Sequence, residues 1–377
     1  MINKIKKTAI DILDMLSWKT ERKIIVFESD DWGSIRMPSK EIYNQCLKDG
    51  YQADKNIFSR YDTLLSEEDL QLLFNLLISH KDHLGNHPII TANCLVANPN
   101  FEKIKENNFE KYEYEIITET FKKYPKHQNC FDLWLKGMAE GVFKPQSHGR
   151  EHLNVNRFMT DLKNNDTHAH YAFNHQMPGI FDPSKLSEGN NYVVSLEYMN
   201  AEDELEKSKI LEDGLKIFQN LFGYHSQTFI ATNYIWSSLM EEVLANNHIA
   251  ALQGSRFQLI PKGNYVGFKK KIHYTGQKNK YQQTYMVRNA YFEPSLNNNH
   301  DWVNSTLSEI NSAFQKKLPA LISTHRINFA GFIDTHNRDR SLKMLDELLK
   351  GILTKWPNTE FMSSDQLNQL IGSKIKK

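Results

Sequence analysis

Short apolar runs that end abruptly in polar residues, with a helical pattern between one run and the next, constrain this chain more than any other feature of its 377 residues. Lys23-Ile24-Ile25-Val26-Phe27 runs into Glu28-Ser29-Asp30-Asp31. Comparable extended runs occupy residues 87–93, 143–148, 192–196, 228–232, 248–252, 319–325 and 360–362. Ser66 opens a helical pattern with Leu70, Leu73, Phe74 and Leu77 on one face, and further helices are expected over about 202–222, 237–246, 303–314 and 342–355. Strands that are apolar throughout need cover on both faces. Helices of about ten residues or more between them supply that cover, so the expected fold class is α/β with a parallel sheet. The pattern leaves open whether the sheet closes into a barrel.

Bulk properties narrow the partners. A formal net charge of +1 gives no global field for nucleic acid or a membrane surface. Cys46, Cys94 and Cys130 are widely spaced with no CxxC pair, which argues against a disulfide framework and a thiolate zinc site. No apolar run approaches the roughly 18 residues of a membrane span. Residues 1–20 fit a short amphipathic helix carrying Ile5, Ile10, Ile12, Leu13 and Leu16. Asp11 and Asp14 interrupt it, so no secretory signal is expected and a cytoplasmic location is.

Two stretches break the alternation. Residues 164–191, with His168, His170 and His175, are expected to form an insertion loop over the active face. Residues 256–288 interleave Lys262, Lys269, Lys270, Lys271, Lys278 and Lys280 with Tyr265, Tyr274, Tyr281 and Tyr285. They suit a solvated hairpin, or a groove wall for an acidic or sugar polymer.

In parallel α/β folds the functional groups gather where strands end in loops at their C-terminal edge. The first strand runs into Asp30-Asp31, a middle one into His148-Gly149-Arg150-Glu151-His152, and a late one into His325. The HxxxH spacing lets two imidazoles face the same way, and two imidazoles with a carboxylate suit zinc or a similar divalent ion. Three protein ligands leave a position open, as catalytic sites do.

The strings VFESDDWG, SHGREH, DW at Asp301-Trp302 and LISTHR resemble, in order and approximate spacing, the motifs of the polysaccharide deacetylase (NodB-homology) family over about residues 23–367. The resemblance implies a distorted (β/α) barrel of about seven parallel strands over residues 21–377. It implies Asp30 as general base, Asp31, His148 and His152 as metal ligands, His325 as general acid, and Asp301 as the residue orienting it. Trp302 would wall the acetyl methyl, with Tyr234 and Arg326 as further substrate contacts. The implied cofactor is one divalent metal ion, zinc foremost. The implied substrate is an acetylated saccharide or glycoconjugate.

The match departs at one motif. The family commonly carries an arginine after a middle strand that holds the general base, whereas Phe229-Ile230-Ala231-Thr232-Asn233-Tyr234 has none. Arg150, Arg288 or Arg326 replaces it, or Asp30 is tuned differently, or activity is altered. Glu28, near the carboxylate pair, is either a supporting partner or an outward strand-end residue. The rival functions are a hydrolase of non-sugar amides and a non-catalytic glycan binder.

Overall fold

The computed structural model describes residues 11–180 and 192–373. Of the proposed N-terminal helix, residues 11–16 are helical, while Ile5 and Ile10 lie outside the described residues, as does 181–191 of the first insertion.

The strands in chain order are β1 (Lys23–Trp32), β2 (Ile90–Leu95), β3 (Ala97–Pro99), β4 (Tyr114–Ile116), β5 (Phe143–Gly149), β6 (Thr228–Ile230) and β7 (Ala251–Gly254). They continue with β8 (Phe257–Pro261), β9 (Phe268–Ile272), β10 (Thr284–Val287), β11 (Ala290–Tyr291), β12 (Ala320–His325) and β13 (Thr359–Phe361). Nine form one sheet in the order β10-β7-β6-β5-β2-β1-β12-β11, with β13 pairing the start of β1. Every pairing in it is parallel. β3–β4 and β8–β9 are separate antiparallel pairs.

The two strands at the ends of the sheet, β10 and β11, are consecutive in the chain, with only Arg288 and Asn289 between them. A link that short reaches both edges only if the sheet curls on itself. The result is a distorted (β/α) barrel with a seam at Arg288-Asn289. Asn289 stitches the seam: its side chain donates to Pro319 O (2.9 Å) and accepts from Leu321 N (2.9 Å). Arg288 N donates to Gly254 O (2.9 Å) of β7, the strand beside β10.

Side chains alternate along β1 between two environments. Ile25 and Phe27 join the large core under the helices. Ile24 and Val26 pack with Ala251, Met286 and Leu321 from strands across the barrel, together with Leu367 and Ile371 of the C-terminal helix. The same inward parity carries Glu28 and then Asp30, so the barrel interior turns from apolar to charged along this strand.

Several expectations change. Residues 192–196, rich in β-formers, form turns rather than a strand. Tertiary contacts override the propensity there: Tyr192 packs edge-on to Phe158, and Val194 O accepts from Asn154. The first insertion is not all loop. It contains helix Thr167–Asn174, with Asp166 accepting from the amides of His168 and Ala169 as its N-cap. Of residues 256–288 only the front part is a hairpin, β8–β9, while β10 is a buried strand of the barrel. The last long helix, Thr335–Lys355, starts earlier than its apolar pattern because Asp334 caps it.

Asn289→Ala would leave two backbone groups at the seam without partners. It should lower the unfolding free energy by about 1–3 kcal/mol, read as a fall in the urea midpoint at constant m-value. An unchanged midpoint would show that the seam does not depend on this side chain.

Candidate active site

Consecutive residues in a regular strand face opposite ways, yet Asp30 and Asp31 serve one site. The ladder between β1 and β2 shifts register between Ser29 and Trp32, and Asp31 adopts φ 74°. That left-handed residue turns its carboxylate back to the end of the barrel, the usual effect of a strand irregularity next to a functional site. Two features brace it. Trp32 Nε1 donates to Ser29 Oγ (2.9 Å), and Gly33 follows at φ +88°, where a Cβ would meet Leu95 O at 2.4 Å.

Asp31 Oδ1 stands 3.4 Å from His148 Nε2 and 3.3 Å from His152 Nε2. All three side chains are buried, and their donor atoms lie within 4.8 Å of one another. In a tetrahedral site with bonds of 2.0–2.1 Å, neighbouring ligand atoms are about 3.3 Å apart. A carboxylate hydrogen-bonded directly to charged imidazoles would sit nearer, at about 2.7–2.9 Å. Donor chemistry agrees. His148 Nδ1 meets the carbonyl of Ile230 at 2.8 Å, so that nitrogen carries the proton and Nε2 presents a lone pair. Burial, with the Arg36 charge nearby, holds the His152 pKa well below its ordinary value, which keeps the ring neutral. His152 Nδ1 is buried without a hydrogen-bond partner among the described residues. Burial disfavours the charged form of Asp31, but the positive surroundings, the Arg36 guanidinium among them, outweigh this and hold the carboxyl well below the usual range. The residues present therefore fit a divalent cation.

The HxxxH segment is a strand end and loop, not a helical turn. Helix Ala201–Phe222 packs on it through Gly214, where a Cβ would lie 2.8 Å from Arg150 N.

Beside this triad lie two ionisable side chains, Asp30 and His325, each held by a buried partner. Arg288 Nη2 donates to Asp30 Oδ1 (2.6 Å) and Nη1 to Oδ2 (2.7 Å), while Nε donates to Glu28 (2.8 Å). Asn93 adds a bond to Asp30 Oδ1 (2.7 Å). Burial raises the Asp30 pKa, but the Arg288 charge and bonds outweigh it and the net direction is down. Glu28, deeper and with Ser364 as its other partner (2.9 Å), moves the other way because burial prevails. Of Arg150, Arg288 and Arg326, it is therefore Arg288 that holds Asp30. Glu28 is a supporting partner rather than an outward residue.

His325 Nε2 is 3.8 Å from Asp30 Oδ2. Its Nδ1 meets Glu293 Oε1 at 2.7 Å, and Asn328 holds the other Glu293 oxygen (2.8 Å). Burial disfavours the charged ring, but Glu293, with Asp30 and Asp31, reverses this and pushes the pKa up to about 10.

Other expected residues lie elsewhere. Asp301 does not orient His325. It is exposed and caps helix Trp302–Gln315, accepting from Asn304 N (3.1 Å) and Asn304 Nδ2 (2.7 Å), and Glu293 takes its expected place. Trp302 is in the first turn of that helix, donates to Asn297 O (2.9 Å) and packs on the outer core. Arg326, 1% exposed, is spent on both oxygens of Asp62 (2.9 and 3.2 Å), so it is not available to a substrate. Tyr234 does reach the site, its hydroxyl 3.4 Å from Arg288 Nη1. His80, His83 and His87 bond Asp346, Thr359 O and His80 O, which are structural roles. His168, His170 and His175 meet Tyr51 Oη, Leu162 O and Tyr171 O. Glu293 follows Ala290-Tyr291-Phe292, an apolar run ending in a carboxylate, the same signal that marked Asp30.

No family model and no curated protein matches the chain. Among solved structures it is similar to one described as a polysaccharide deacetylase from Mycobacterium smegmatis, at 10% identity and TM-score 0.43, covering 96% of this chain and 94% of that one. It is similar to Puue allantoinase at 9% identity and TM-score 0.46, covering 93% and 91%. It is similar to the peptidoglycan deacetylase PdaC from Bacillus subtilis at 8% identity and TM-score 0.35, covering 94% of each.

Gly214→Ala should displace the His148–His152 loop, costing about 1–3 kcal/mol of stability and weakening zinc binding in a competition titration. Zinc affinity equal to wild type would rule out that coupling. Glu293→Gln removes the carboxylate that keeps His325 protonated. If His325 must be charged to act, the alkaline limb of any activity profile should move to lower pH by about 1–3 units. A limb that stays in place would exclude Glu293 as the cause.

Proposed function

We propose that this chain is a metal-dependent hydrolase that removes acetyl groups from an N- or O-acetylated carbohydrate. The observation that carries the reading is the meeting, at one barrel end, of an Asp31–His148–His152 ligand set with Asp30 and His325. Either residue alone has ordinary uses. A cation site flanked by a clamped carboxylate and a protonated imidazole suits hydrolysis of an acyl bond.

A divalent ion held by Asp31, His148 and His152 would supply a Lewis acid for the acyl carbonyl and acidify a water. The chain's own residues do the rest. Asp30 accepts the proton of the attacking water. A carboxylate offers about four lone-pair positions, and Arg288 and Asn93 take three of them. The remaining one, on Oδ2, is on the oxygen nearest His325. Arg288 holds the carboxylate in place and ionised.

His325 donates its Nε2 proton to the leaving amine or alcohol, while Glu293 at Nδ1 fixes the tautomer and stabilises the charged ring. Tyr234, beside Arg288, is positioned as a substrate contact. The products are acetate and the freed sugar amine or hydroxyl. A non-catalytic glycan binder would have no need of a clamped base, and the Arg288 fork on Asp30 favours the hydrolase over it.

Metal analysis and an acetate-release assay on acetylated sugars test this. Wild type should carry one divalent ion per chain and lose activity on chelation. Asp31→Ala should lose the ion. Asp30→Asn should bind it and release acetate about 10²–10⁴-fold more slowly. Full metal content in Asp31→Ala, or acetate released at the wild-type rate by Asp30→Asn, would contradict the assignment.

A further inference from the structure

Three arginines border the site, and they are not equally occupied. Arg288 places every nitrogen of its fork on Glu28, Asp30 or Ser323. Arg326 grips both oxygens of Asp62, and although its Nη1 is unpaired the residue is only 1% exposed. Arg36 differs. Its Nη2 is 3.6 Å from Asp31 Oδ2 and its Nε 3.7 Å from Asp62 Oδ2, both beyond hydrogen-bond length. Its Nε is buried with no hydrogen-bond partner among the described residues, and its side chain remains 14% exposed. A desolvated guanidinium donor left unmatched is costly, and the two Nη groups make no hydrogen bond among the described residues that would hold the fork in place.

The surroundings say what would match them. Asp31 turns Oδ1 to the two imidazoles and Oδ2 to Arg36. A dication on Oδ1 would draw on the same carboxylate charge, leaving Arg36 as excess positive charge beside the acyl site. The guanidinium lies 5.7 Å from the centroid of the Phe58 ring, which in turn meets the His325 ring edge-on at 5.9 Å. Phe58 is itself partly exposed on the short helix Ile57–Tyr61. A loose arginine fork, an aromatic ring and the proposed acid therefore line one wall. The fork suits a carboxylate or phosphate, and the ring suits the apolar face of a pyranose.

We propose that Arg36 and Phe58 form an anion subsite, and that the substrate is an acylated sugar bearing a carboxylate or phosphate next to the acyl-bearing carbon. The sugar and acyl parts rest on the deacetylase reading above, whereas the anion rests on Arg36 alone.

Calorimetric binding of deacetylated sugars to the metal-loaded full chain tests this without turnover. The probes are muramic acid (carboxylate), glucosamine 1-phosphate (phosphate) and glucosamine (neither). Wild type should bind one or both anionic sugars at least about tenfold more tightly than glucosamine, and the tighter of the two identifies the anion. In Arg36→Gln that ratio should fall towards one. Arg36→Lys, which keeps the charge without the fork, should be intermediate, with thermal melts confirming that both variants fold. Equal affinities in wild type, no binding of either anionic sugar, or a preference that survives in Arg36→Gln overturns the subsite. An Arg36-dependent preference without acetate release would sustain the subsite and sink only the deacetylation.

Discussion

The guanidinium of Arg288 lies between two buried carboxylates, and the rest of the site depends on it. Glu28 and Asp30 both point into the barrel, where an unpaired charge would cost several kcal/mol. One fork satisfies the pair, and it comes from the two-residue link that closes the sheet. Closing the barrel and charging its interior are thus one event. Removing the arginine side chain would strand both carboxylates.

From this pair a hydrogen-bonded row crosses the barrel. Ser364 donates to Glu28, and Asn93 donates both to Asp30 and to Gln253, which donates to Thr228. Each donor has a fixed acceptor, so Asp30 has little freedom to rotate. The Ile24 and Val26 end of the barrel is apolar and supplies burial, while the Asp30 end is polar and supplies position. Asp31 escapes the parity of its strand only through its left-handed backbone, and that lets two adjacent carboxylates take different partners: Asp30 takes Arg288, and Asp31 takes two imidazoles.

Much of this is legible in the sequence. Strand ends rich in aspartate and histidine mark Asp30, Asp31, His148, His152 and His325, because ionisable groups at the end of a buried run are costly unless partners or a ligand meet them. The residues that escape such reading are hidden for physical reasons. Arg288 closes a stretch crowded with lysine and tyrosine, which reads as solvated surface although its last strand is buried. Glu293 follows a strand of two residues, too short to register as an element. Asp301 misleads because an aspartate before an apolar helix is also the mark of an N-cap, and here that local bond is the one it makes. Residues 192–196 have β-forming side chains but no strand to pair with.

The topology bears on how the molecule comes into being. β1 lies between β2 and β12, and its ladder with β12 joins Ile25 to Ala320 and Asp30 to His325. During synthesis the first strand emerges long before Arg288, which pairs its Glu28 and Asp30, and longer still before β12, its neighbour on one side. Contacts so distant along the chain bring a large loop-closure cost and slow folding. A nascent chain must therefore keep Glu28, Asp30 and Asp31 in water until Arg288 and β12 have been made. The charges that later serve the site also keep that waiting strand from sticking to others.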